Sequence, residues 1–167
     1  MLDENTPDAS SVYNTLCAWV MPTIQVKKIH EAAKLPTKAY KNDAGFDLHV
    51  VDDQDFNNGQ YVLEPGEQKL FATGLCISIP PGHMAKIEDR SSMGKRGITK
   101  FGGIIDASYR NQWFIMLYNS SRFPQTITVG DKIAQFLVLP VPQFEIEEVE
   151  SLDVTDRNLA GFGSSGK

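Results

Sequence analysis

The chain has few of the residues from which metal centres and disulfide frameworks are built: two cysteines and three histidines in 167 residues. Cys17 and Cys76 show no metal-ligand spacing, and two thiols imply no dense disulfide framework. His30, His49 and His83 also lack ligand spacing and read as structural or exposed residues. No Ser/His/Asp or Cys/His set stands out. Long apolar runs are missing too. Leu16 to Met21, the only such run near the start, is too short to span a bilayer. Acidic and polar residues precede it, not the basic region of a signal peptide. Positive charge is in deficit, with 16 Lys and Arg against 21 Asp and Glu, a net charge of -5 and a pI near 5.2. That sets aside broad binding to DNA or RNA, which needs a basic face. It does not exclude a nucleotide, because a few local cations or a divalent metal reverse the field within a cleft. A reduced, non-membrane protein of the cytoplasm is expected, or of the host cytoplasm if the chain is viral.

Helical periodicity is the other absence. No segment sustains an apolar stripe over three helical turns, which argues against a Rossmann-type sheet. What is there is ordinary for a globular protein: 41% hydrophobic and 22% charged residues, and a length that suits one domain. Short apolar runs lie between turn signals such as Asn57-Asn58-Gly59, Glu64-Pro65-Gly66 and Pro80-Pro81-Gly82. Phe46-Asp47-Leu48-His49-Val50 alternates with the period of a half-buried strand. Separate strands are predicted at 61–63, 69–72, 75–79, 84–87, 113–118, 126–129, 133–139 and 144–149, with one helical turn at 91–96. Such a pattern predicts an all-β sandwich or barrel. Residues 1–22 read as a loosely ordered extension with Trp19 docking on the body, and 23–152 as the β domain. Residues 153–167 read as a Gly/Ser-rich arm that cannot order itself alone.

Two isolated carboxylates draw attention. Asp106 follows Gly103-Ile104-Ile105 at a strand edge, where a carboxylate can orient or deprotonate a water. Asp47 interrupts an apolar strand segment, a costly place unless it meets a cation, a metal-bound water or hydrogen bonds. Arg90-Ser91-Ser92-Met93-Gly94-Lys95 offers hydroxyls, backbone N–H groups and cations suited to phosphate, although the P-loop pattern is absent. Gln135 lies within an apolar run, and a buried amide needs partners. Tyr109 suits the wall of a sugar site. In the tail, Phe162 has no core to join and is suited to stacking on a base. Arg157 is suited to clamping a terminal phosphate. Read singly, the turn-forming Asp, the helix cap and the frayed terminus are each the simpler account. Their order along one chain is what favours metal-assisted attack on a nucleotide polyphosphate.

Five blocks occur in order: 44–48 (AGFDL), 89–95 (DRSSMGK), 103–110 (GIIDASYR), 130–135 (GDKIAQ) and 157–166 (RNLAGFGSSG). The set resembles the homotrimeric dUTPases, from about Thr23 to Lys167. The resemblance implies a distorted jelly-roll subunit, a homotrimer with sites between subunits, and Mg²⁺-dependent hydrolysis of dUTP to dUMP and pyrophosphate. That reaction keeps uracil out of DNA and supplies dUMP for dTMP synthesis. It implies that Asp47 holds Mg²⁺ through water, and that Arg90, Ser91 and Ser92 bind the phosphate chain. Asp106 would activate the water that attacks the α-phosphorus, helped by Gln135. Tyr109 would pack beneath the deoxyribose, and the backbone of the 100–106 hairpin, including Gly103 and Ile105, would read uracil. Arg157, Phe162, Gly163, Ser164 and Ser165 would close over a neighbouring subunit's site.

Ser92, Asn111, Asn158 and Ala160 stand where glycine is common in that family, and the last two would stiffen the arm slightly. The related dCTP deaminases need a Glu on the strand after the hairpin. Here that place holds Met116, which cannot do acid–base work. A non-enzymatic regulatory protein on the same fold is the remaining alternative, and 1–22 is where a regulatory partner would be sought.

Overall fold

The computed structural model describes residues 22–155. Ten strands and one short helix follow in the order β1 (Gln25–Lys28), β2 (Phe46–His49), β3 (Gln60–Leu63), β4 (Gln68–Ser78), β5 (His83–Glu88), α1 (Ser91–Lys95), β6 (Ile98–Phe101), β7 (Ile104–Asp106), β8 (Gln112–Asn119), β9 (Gln125–Thr128) and β10 (Lys132–Pro140). They form a four-stranded sheet β1-β4-β8-β6, a second four-stranded sheet β2-β10-β5-β7, and a two-stranded ribbon β3-β9. Every ladder between them is antiparallel. That suits strands with one apolar and one polar face.

The alternation does the sorting. On β8, Trp113, Ile115, Leu117 and Asn119 point inward, while Phe114, Met116 and Tyr118 are more accessible. The core joins both sheets: Phe71, Leu75, Ile77 and Trp113 from the first meet Leu48, Ile87, Ala134 and Phe136 from the second. Trp113 and Phe136 meet edge to face across the interior, with ring centroids 5.2 Å apart. Asn119, like Thr73, is a fully buried polar residue of this core. Its amide donates to Leu63 O and Phe123 O and its oxygen accepts from Ser121, so burial leaves it paired.

Two strand expectations differ from the structure. Residues 69–72 and 75–79 belong to one strand, β4, with a register shift between Ala72 and Cys76 rather than a break. Gly74 takes φ +67° there, and a side chain would collide with His30 and Ala33, so the glycine marks a bulge and not a turn. The run 144–149 is not a strand. Ile146 is fully exposed and Phe144 nearly so. No strand of this chain pairs with the run among the described residues, and alternation without a ladder does not make a sheet. The expected turn at 91–96 is α1, ending at Lys95.

Candidate active site

The second sheet brings three blocks into one row. Gln135 on β10 lies opposite Asp47 on one side and Glu88 on the other. Residues directly opposite in antiparallel strands share a face, so the three side chains project together, away from Leu48, Phe136 and Ile87 in the core. Gly45 makes the closeness work. A Cβ there would stand 3.2 Å from Gln135 Cβ and overlap Gln135 Oε1. The glycine of the first block therefore leaves space for the glutamine of the fourth.

Asp47 is 6% exposed. Its two oxygens accept from Arg90 Nε at 2.7 Å and Lys132 Nζ at 2.6 Å. Burial by itself would raise its pKa. The hydrogen bond from Lys132 and the charge and hydrogen bond of Arg90 outweigh that, so the carboxyl is held below its ordinary value. Arg90 caps the start of α1 in an extended conformation, and its Nη1 also donates to Ser92 Oγ and Lys132 O. Ser91 and Ser92 are exposed. A β-bulge between Lys132 and Ala134 re-aims Lys132 toward Asp47. His49, two residues on, is buried with no hydrogen bond to Nδ1. Burial, followed by the charges of Lys34 and Lys132, pushes its pKa down, so it stays neutral. The result is a cation-rich ledge around one buried carboxylate.

The hairpin is built differently. Asp106 is exposed at the end of β7, opposite Met84 on β5. Tyr109 N–H donates to Asp106 O at 3.1 Å and closes the turn, while Tyr109 OH donates to Gln112 O. An open cleft of about 370 Å³ lies beside them, lined among others by Lys100, Gly103, Ile105, Asp106, Tyr109 and Met116. It has the size of a small-molecule site and mixes apolar walls with a few polar groups.

The structure brings Asp47, Arg90 and Gln135 together, and Gly103, Ile105, Asp106 and Tyr109 together, but not the two sets. The row through Asp47, Gln135 and Glu88 crosses β5 four residues from Met84, where Asp106 pairs. Asp106 thus lies about 13 Å along the strands and about 14 Å across them from Asp47. One phosphorus atom cannot touch both. Arg157, Phe162, Gly163, Ser164 and Ser165 lie outside the described residues.

Residues 31–166 match the family model described as dUTPase. The chain belongs to the dUTPase family. Among curated relatives, it is 40% identical over 147 residues to the deoxyuridine 5'-triphosphate nucleotidohydrolase of Nautilia profundicola, covering 86% of this chain and 99% of that protein. It is 37% identical over 134 residues to the cowpox virus enzyme of the same name, covering 80% of this chain and 86% of that protein. A solved structure of a substituted dUTPase from Staphylococcus bacteriophage 80alpha with dUpNHpp superposes with a TM-score of 0.77 at 26% identity, covering 87% of this chain and 99% of that one. A dUTPase structure from phage phi11 of S. aureus, which describes a structural Mg(II) ion, gives a TM-score of 0.70 at 25% identity, over 80% and 100% of the two chains. The two sheets and their ribbon are thus the jelly-roll-like fold of the dUTPases.

Two residues at the dUTPase-like site carried no role in the sequence reading. Lys132 sits in the fourth block, and its signal was Asp47 itself, a carboxylate in an apolar strand that needed a cation. Asp89 precedes Arg90, and its side chain reaches β6. No local pattern pairs it with Thr99, ten residues away.

Proposed function

We propose that this chain hydrolyses dUTP to dUMP and pyrophosphate, with each active site completed by more than one copy of the chain. The observation that carries the assembly is the separation within one protomer. The cation-rich ledge around Asp47 suits a phosphate chain, and the cleft beside Asp106 and Tyr109 suits a nucleoside. They lie too far apart to hold one substrate. A homotrimer in which the hairpin of one copy faces the ledge of another resolves this. The arm carrying Arg157, Phe162, Gly163, Ser164 and Ser165 closes over base and phosphates.

Magnesium fits this ledge only as a partly hydrated ion. No group of three or more His, Cys, Asp or Glu among the described residues could cage it. Asp47 accepts one hydrogen bond at each oxygen, from Arg90 and from Lys132, which leaves lone pairs for a water of the ion's shell. Magnesium commonly binds through one carboxylate, waters and substrate phosphates. When bound, it neutralises the phosphate oxygens and sets their geometry.

The residues divide the remaining work. Arg90, Ser91 and Ser92 hold the phosphate chain. Asp106 accepts a proton from water as the water oxygen bonds to the α-phosphorus. The bond from that phosphorus to the bridging oxygen breaks, and pyrophosphate leaves with the electron pair. Gln135 positions the α-phosphate or the attacking water. Tyr109 packs beneath the deoxyribose, and the hairpin backbone around Gly103 and Ile105 reads the uracil edge. Met116, on the wall of the same cleft, offers no acid for deaminating a cytosine.

The test is product analysis of the purified protein with dUTP, dCTP, dTTP and UTP, with and without Mg²⁺. Selective formation of dUMP and pyrophosphate is expected. Ammonia released from dCTP, or a folded protein inert toward all four, would refute the reading.

A further inference from the structure

The hairpin has an unusual support. β6 is the outermost strand of the first sheet and β7 the outermost strand of the second. No ladder among the described strands joins them, so pairing does not set the gap at the mouth of the cleft. Other contacts do. Ile87 N–H donates to Gly103 O at 2.7 Å, and Lys100 Nζ donates to Gly102 O at 3.0 Å while lying 3.9 Å from Glu88. The most connected support is Asp89. Its Oδ2 accepts from Thr99 Oγ1 at 2.7 Å and its Oδ1 from Lys100 N–H at 2.8 Å. The N–H of Lys100 belongs to an edge strand, the kind of donor a sheet leaves unpaired. The carbonyl of Asp89 accepts from Gln135 Nε2 at 3.0 Å. Arg90 follows directly in the chain. One residue therefore touches the base of the hairpin, the amide of the fourth block and the start of the phosphate-binding turn.

We propose that Asp89 is a positioning residue that sets the opening of the hairpin cleft of its own protomer, and so controls pyrimidine selection. The inference rests on the dUTPase reading. Uracil and thymine differ by one methyl, and uracil and cytosine by the donor and acceptor at one ring edge. Discrimination of either kind depends on where the hairpin backbone stands. A bolt that bonds two successive residues of β6 fixes that position, and a displaced reading edge weakens the preference for the matching base. A purely structural Asp89 would change stability and leave selectivity alone, which makes the two roles separable.

The experiment compares the full-length wild type with Asp89→Ala, Asp89→Asn and Thr99→Val. It measures kcat and KM for dUTP, dCTP and dTTP, with a thermal melt of each protein. Asp89→Ala is expected to raise KM for dUTP about tenfold and to lower the preference for dUTP over dCTP and dTTP about tenfold. Its kcat should change by less than about threefold. Thr99→Val should shift selectivity in the same direction by less, and Asp89→Asn, which keeps an acceptor, should restore most of it. If Asp89→Ala does not fold, Thr99→Val decides. Folded variants with wild-type selectivity would overturn the role of Asp89 and leave the dUTPase reading standing. A wild type inert toward dUTP would overturn that reading, and this one with it.

Discussion

The ledge around Asp47 and the hairpin around Asp106 each centre on an aspartate, yet the two carboxylates live in opposite surroundings. Asp47 is buried, although its strand β2 is also an outer strand of the sheet, and it holds a cation on each oxygen. Asp106 stands exposed at the end of an edge strand and makes no side-chain bond among those the structure shows. A group that must organise charge is best held rigidly, because preorganised charge costs nothing at the moment of reaction. A group that must take a proton from water needs access to it. The proposed function gives these two duties to different surroundings, with one carboxylate buried and the other exposed.

That contrast is broken most sharply at Asp106. Asp106→Asn is expected to lower kcat by roughly a thousandfold, with the thermal midpoint unchanged and binding of a non-hydrolysable dUTP analogue retained. Steady-state kinetics beside calorimetry would check it. Wild-type turnover in that variant would remove Asp106 from the chemistry. Asp47→Ala should reverse the balance between stability and binding. It leaves Arg90 and Lys132 without their shared counter-charge, and a urea melt should show a loss of about 2 kcal/mol, since both cations are partly open to solvent. Phosphate-chain affinity should fall as well. A fully stable variant would mean that the ion pairs are ornamental.

The acid limb of stability is a finer probe of the same carboxylate. The folded pKa of Asp47 lies below its unfolded value. Its contribution is therefore complete above about pH 4 and fades as pH falls through the folded pKa. Urea midpoints measured between pH 6 and pH 2, flanking the range near pH 4, should fall less steeply in Asp47→Asn than in the wild type. His49 works in the same direction at higher pH. Its lowered pKa costs stability as the pH falls below the unfolded value of 6.5, where the unfolded chain takes up the proton first. The smallest effect is expected at Gly45→Ala. The new methyl meets the far end of the flexible Gln135 side chain, so the melt should move by about 1 kcal/mol or less. Gln135 must swing away, and kcat should drop about tenfold. An unchanged kcat would separate Gln135 from catalysis.

Much of this was legible in the residues. Alternation along 46–50 and short apolar runs such as 113–118, with turn signals between, predict an all-β fold. Asp47, standing in an apolar strand, called for a cation, a metal-bound water or hydrogen bonds, and the fold supplies two cations. The tail could not be judged in the same way, since a glycine-rich stretch carries no packing signal. The run 144–149 misled because it has the period of a strand and nothing in its own chain to pair with. The split of 69–79 into two strands failed for a related reason. Gly74 reads locally as a break, and only the closeness of His30 and Ala33 shows it to be a bulge within one long strand.

Composition, period and the order of the blocks were enough to determine the class of the fold and the family. These depend on side-chain chemistry and near neighbours in the chain. The tertiary structure alone decided which residues of the blocks meet. It set Gly45 under Gln135 and placed Lys132 beside Asp47 through a bulge. It tied Asp89 to a strand ten residues onward and put Asp106 about 20 Å from the ledge of its own protomer. Register and sheet order arise from long-range pairing, and no local pattern carries that information.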